Sequence, residues 1–176
     1  AAFVLQAVQL VLGHPLDVTV TPGALRATIL AATVAALLAV LYGLWKQPRG
    51  NSWFYFVLAV HFAAGIAVLL LLPAKAIDVH YAQADSLQAL TTGLNPYAVH
   101  LKNMYGADAL KFYDPATVRG NEMTTGFNYP PLSLLLCVPA YLLAHDFRIT
   151  HLLAIEITAA LIGLARPSTL SKLAAC

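Results

Sequence analysis

Charge is scarce in this chain. Lys, Arg, Asp and Glu supply 10% of the 176 residues, hydrophobic residues supply 60%, and mean hydropathy is +0.72. Soluble domains carry about 25% charged residues, so a soluble globular domain is excluded and an integral membrane protein is expected. Cysteine is nearly absent as well. Two residues, Cys137 and Cys176, make neither a disulfide framework nor a cysteine metal cluster. Cys137 falls inside an apolar run and reads as a small buried packing residue. The net charge of +2, with no basic run, gives no electrostatic footprint for nucleic acid. There is no GxGxxG, P-loop, HExxH or CxxC. Soluble nucleotide chemistry is therefore not expected.

What is present is a series of apolar runs. Residues 1–13 are apolar but short of the roughly 20 residues a span needs, and read as a truncated or interfacial helix that residues 14–23 break. Residues 24–45 form a first span, with Tyr42 and Trp45 as interface anchors. The loop KQPRGNS comes next, with Lys46, Arg49 and no acid. Residues 53–73 form a second span, opening on Trp53, Phe54 and Tyr55 as interface aromatics and closed by Pro73. The basic loop between them reads as cytoplasmic, which puts the polar residues after Pro73 on the outer face. Residues 131–145 read as a third span kinked at Pro139, and 149–165 as a fourth containing Glu156.

The expected fold is thus all-α: about four transmembrane helices and a long extracytoplasmic loop with short helices. The parts are a membrane hairpin in 1–73, an outer loop in 74–130 and membrane helices in 131–176. The chain opens on Ala-Ala-Phe and closes on Ala-Ala-Cys beside an apolar run, so its ends are expected to be cuts through a longer protein or processed termini.

The polar interval from Asp78 to Leu132 holds five of the eight acidic residues. Ala84, Leu87 and Leu90 recur at a spacing of three and predict a helix over 82–92, stopped by Gly93. Asn95-Pro96 is a turn. Residues 98–113 read as a second short helix, broken at Gly106 and ended by Asp114-Pro115. Pro131 suits the first turn of the next helix.

Asp78 lies where the second span gives way to polar sequence. A carboxylate there can serve as a general base on a hydroxyl, provided it is within hydrogen-bond reach. It can equally be the N-cap of a helix starting near His80. Inside the spans, His61 and Glu156 are ionisable groups of the kind that face a bundle interior or a functional site. His61 reads either as an interhelical hydrogen-bonding residue or as a ligand for the metal of a chlorin or haem.

Three separated pieces, Asp78-Val79-His80-Tyr81, Gly93-Leu94-Asn95-Pro96-Tyr97 and Tyr129-Pro130-Pro131-Leu132, together resemble the GT-C superfamily of membrane glycosyltransferases. More narrowly, they resemble the polyprenyl-phosphate-mannose-dependent mannosyltransferases of bacterial envelopes. The resemblance covers about a third of the chain. It implies sugar transfer from a lipid-phosphate donor at the outer face of a bacterial inner membrane, with Asp78 as the base and inversion at the anomeric carbon. Asp85 is the second choice for that role. His80, Tyr81, Asn95, Tyr97 and Tyr129 become candidate walls for a sugar or phosphate. Lys102, Lys111 and Arg119 become candidate contacts to a lipid phosphate, and a divalent metal ion a candidate cofactor. Members of the family have roughly ten or more spans, so this chain would be the front portion of one. A reading from another class is a non-catalytic, pigment-associated subunit of a larger membrane complex, built on small-residue helix faces.

Overall fold

The computed structural model describes residues 22–46, 50–71, 77–166 and 168–175. The chain is mostly helical. In order it forms α1 (Pro22–Lys46), α2 (Ser52–Leu71), α3 (Asp78–Thr91), 3-10 turns at Gly106–Lys111 and Pro115–Thr117, β1 (Val118–Arg119), β2 (Glu122–Met123), α4 (Pro131–Ala144), α5 (Arg148–Leu164) and α6 (Thr169–Ala175). The expected helix within residues 1–13 and its break lie largely outside the described residues.

Two helices are long and apolar enough to cross a membrane, through Ile29–Lys46 and Ser52–Leu71. α4 and α5 meet that test only as one interrupted pair, so the candidate spans number two or three rather than about four. The reason is length: the 14 residues of α4 reach about 21 Å, against an apolar core of about 30 Å. α4 continues through Pro139 and stops where His145 adopts a left-handed backbone, with φ 53°.

The chain divides into two compact units, Ala1–Pro73 with His151–Cys176, and Ala74–Thr150. The first is apolar. α1 and α2 pair as an antiparallel hairpin whose core is Trp53, Phe54 and Val57 against Ala36, Ala39 and Val40, with Leu173 and Ala175 of α6 on the same cluster. The expected interface aromatics are therefore interior. Trp53 and Phe54 are buried, and only Tyr55 of the three is exposed. Missing side chains make the room: the Trp53 indole lies on Gly43 and the Phe54 ring on Gly163.

α5 runs antiparallel to α2 along one seam. Phe54 faces Gly163, His61 faces Glu156, and Leu152 faces Gly65. On α5 the seam positions 152, 156, 159 and 163 recur at the three-and-four spacing of a single helix stripe. Leu152, Ala159 and Gly163 are buried there. Small residues on such a stripe let two apolar helices approach closely enough for dispersion contacts to hold them.

The second unit is built on α3 packed against α4. Leu87, Phe127, Leu134, Cys137 and Phe147 form its core, with Ala84, Leu90, Val138 and Tyr141 against them. The 84/87/90 stripe thus packs inward as its spacing predicts, and Cys137 is the buried packing residue expected. α3 ends as its sequence predicts. Gly93, at φ +82°, donates its N–H to Leu90 O, and Leu94 donates to Ala89 O at 2.8 Å, the paired bonds of a glycine-terminated helix.

The helix expected over 98–113 is reduced to the 3-10 turn at 106–111. Buried Asn103 is the cause. Its Nδ2 donates to Gly106 O and Gly120 O, both at 3.1 Å, and its Oδ1 accepts from Tyr105 N at 3.1 Å. Its own N–H donates to Asn121 O. A side chain that takes up local backbone groups in this way displaces helical hydrogen bonds.

Candidate functional site

Asp78 is the first residue of α3, not its N-cap. The N-cap position is Ile77, extended and without a side-chain cap bond. The Asp78 carboxylate instead accepts from Val79 N through Oδ1 at 2.8 Å and from the Tyr113 hydroxyl through Oδ2 at 2.9 Å. It lines a cleft of about 80 Å³ together with Tyr113, Thr125, Gly126, Asn128 and Tyr129. Burial first, then the hydrogen bond and charge of Asp78, push the Tyr113 phenol well above its usual value. At neutral pH it stays a donor to the carboxylate.

The polar pieces that are far apart in sequence converge here. Asn95 Oδ1 accepts from Tyr97 N at 3.0 Å and fixes the turn. Phe127 N then donates to Pro96 O at 2.9 Å, and the Tyr97 hydroxyl donates to Tyr129 O at 3.0 Å. Phe127 lies between the Tyr97 and Tyr129 rings, at 5.8 and 5.5 Å. Gly126 allows the approach, because a Cβ there would meet the backbone of Pro96 and Tyr97. Tyr129 reaches the Asp78 cleft itself. Asn95 and Tyr97 shape its support from behind.

His80 and Tyr81 go elsewhere. His80 packs on Phe147 with ring centroids 5.0 Å apart. Its pKa is lowered, by burial first and then by the charge of Arg148, with Asp146 opposing. Tyr81 is exposed on α3 with its ring edge toward His80. Neither lines the Asp78 cleft.

Asp85 lines a separate and wider cleft of about 370 Å³, with Gln88, His100, Asn121 and Glu122. Its Oδ2 is 3.5 Å from Lys102 N, and His100 pairs with Glu122 at 3.3 Å. Lys102 lines both clefts. Lys111 is held by Asp108 at 2.6 Å on the surface, and Arg119 is exposed on β1. Among the described residues, no three His, Cys, Asp or Glu side chains gather into a metal-binding group.

In the apolar unit, His61 Nδ1 pairs with Glu156 Oε1 across the α2–α5 seam. The second carboxylate oxygen, Oε2, is buried without a hydrogen bond. This places His61 as an interhelical hydrogen-bonding residue.

No family model, no curated protein and no solved structure matches this chain.

Sequence reasoning missed Tyr113, Thr125 and Asn128 beside Asp78, and Gln88, Asn121 and Glu122 beside Asp85. Asn121 and Glu122 come directly after Gly120, whose φ of +61° makes the turn between β1 and β2. That glycine was the one local signal available. Tyr113 carries none, because its distance from Asp78 along the chain is closed only by the path of the loop.

Proposed function

We propose that this protein is a membrane-embedded glycosyltransferase, or part of one. It would move a sugar from a polyprenyl-phosphate donor to an acceptor hydroxyl, with Asp78 as general base. The observation that carries this reading is the convergence of Asp78 and Tyr129 on one cleft, with Asn95, Pro96 and Tyr97 in its backing.

In the reaction, an Asp78 oxygen takes the proton of the acceptor hydroxyl while the hydroxyl oxygen attacks the anomeric carbon. The bond to the lipid phosphate breaks with its electron pair leaving on phosphate. Configuration inverts, and no covalent sugar–protein intermediate forms. Tyr113 keeps the carboxylate oriented and, with its raised pKa, does not compete for the proton. By the positive-inside rule Lys46 and Arg49 of the KQPRGNS stretch would mark the cytoplasmic side, which would put the polar residues after Pro73 on the outer side. That is where a lipid-linked donor is used.

The test is Asp78→Asn in the full-length protein, with transfer from a radiolabelled polyprenyl-phosphate sugar measured in membranes. General-base removal costs about 10²–10⁴-fold in turnover. Wild-type turnover in the variant would remove Asp78 from the mechanism.

A further inference from the structure

The wider of the two clefts has a lining that selects one kind of ligand. Two carboxylates, Asp85 and Glu122, and two carboxamides, Gln88 and Asn121, border it, with Ala89, Leu94 and Val99 as the apolar share of its wall. An anion would be set against both carboxylates. A cation would meet Lys102, which lines the same space and has no carboxylate within 4 Å of its ammonium among the described residues. A wholly apolar ligand would strip water from seven polar side chains without replacing those hydrogen bonds, which is costly. A neutral polyhydroxylated ligand meets none of these penalties. Its hydroxyls donate to Asp85 and Glu122 and accept from Gln88, Asn121 and Lys102, while C–H faces lie on Leu94 and Val99. The volume, about 370 Å³, is within the range of small-molecule sites.

We propose that this cleft is a saccharide-binding site. Because Lys102 also lines the Asp78 cleft, it is placed to hold the hydroxyl-bearing acceptor beside the base. That acceptor role rests on the transferase reading; the saccharide binding does not.

The experiment is saturation-transfer difference NMR on the whole chain in lauryldimethylamine oxide, a detergent without a sugar head. The probe is an equimolar mixture of methyl α-glucopyranoside, methyl α-mannopyranoside and methyl α-galactopyranoside. Transfer to ring protons of at least one glycoside is expected, weakened about tenfold or more in Asp85→Ala/Asn121→Ala, which loses one charge-assisted and one neutral hydrogen bond. Leu110→Ala, exposed and outside the lining, is expected to behave as wild type. Should the double variant misfold, Gln88→Trp fills the cleft from exposed α3 and is expected to abolish the signal. No transfer to any glycoside, transfer that survives these variants, or displacement by inorganic phosphate each overturns the proposal. Binding without Asp78-dependent turnover would sink only the transferase reading. Asp78-dependent turnover without binding would sink only the saccharide site.

Discussion

Asp78 and Glu156 are each held by a ring-bearing side chain from another part of the chain, and there the likeness ends. Asp78 is bound by Tyr113 and by backbone, and its carboxylate borders a cleft walled by hydroxyl, amide and phenol groups. Glu156 is closed between α2 and α5, where His61 and Glu156 side chains are only 20% and 12% exposed. One of its oxygens is buried without a partner. The same functional group borders a cleft in the polar unit and serves as an interhelical contact in the apolar one. On the proposed transferase reading, access decides the difference, since a base must reach the proton it takes.

The sharpest way to break this comparison is to neutralise each acid in turn. Asp78→Asn is expected to lower transfer by about 10²–10⁴-fold with little change in thermal stability. Glu156→Gln is expected to do the reverse, lowering the unfolding temperature while the remaining folded protein keeps its turnover per molecule. If Glu156→Gln abolished turnover in fully folded protein, the division of roles would fail.

Packing gives the next largest effects. Gly163→Leu drives a side chain into the Phe54 ring, and overpacking of this kind costs about 1–3 kcal/mol. The apolar unit should lose stability in a detergent melt while the Asp78 cleft is left alone. Asn103→Leu tests the polar unit in the same way. Loss of its bonds leaves buried backbone groups unpaired, at about 1–3 kcal/mol, and amide exchange should accelerate over residues 103–121.

Single contacts give a smaller effect. Breaking the α2–α5 hydrogen bond by His61→Leu is expected to cost about 1–2 kcal/mol, read as a shift in the melt. His61→Leu/Glu156→Leu should recover part of it, because no buried partner is then left alone. Melting of His61→Leu at the wild-type temperature would show that the pair adds nothing, and equal melting of the single and double variants that a lone Glu156 carries no penalty.

The smallest expected effect is the pH dependence from His80. Its folded-state pKa lies below the ordinary 6.5, so the unfolded chain binds the proton more readily. The polar unit therefore keeps full stability above about pH 6.5 and loses it progressively as pH falls through that value toward the lower folded pKa. His80→Phe should flatten the acid side of the stability profile.

Periodicity made the helices legible. Uninterrupted Ala, Leu and Val runs specify α1 and α2 whatever surrounds them, and the 84/87/90 stripe with Gly93 specifies the packed face and the end of α3. Periodicity did not reveal that α4 and α5 meet the length and composition of a span only as one interrupted pair. That depended on where His145 turns the backbone, which no Gly or Pro announces. The 98–113 segment misled for a related reason. Its helix-forming residues were outweighed by the bonds of one buried asparagine, and those bonds reach across to Gly120 and Asn121.

What the sequence by itself determined is local and periodic: an apolar helical protein, a polar interval with most of the acids, the turn at Asn95-Pro96 and the helix start at Pro131. Each is set by residues within a few positions of one another. Only the tertiary structure decided that Tyr113 holds Asp78, that Tyr97 bonds Tyr129, that Asp85 faces a second cleft, and that His61 meets Glu156. Those pairings depend on loop paths and helix crossings that bring distant residues within hydrogen-bond reach, and the spacing of residues along the chain does not encode that reach.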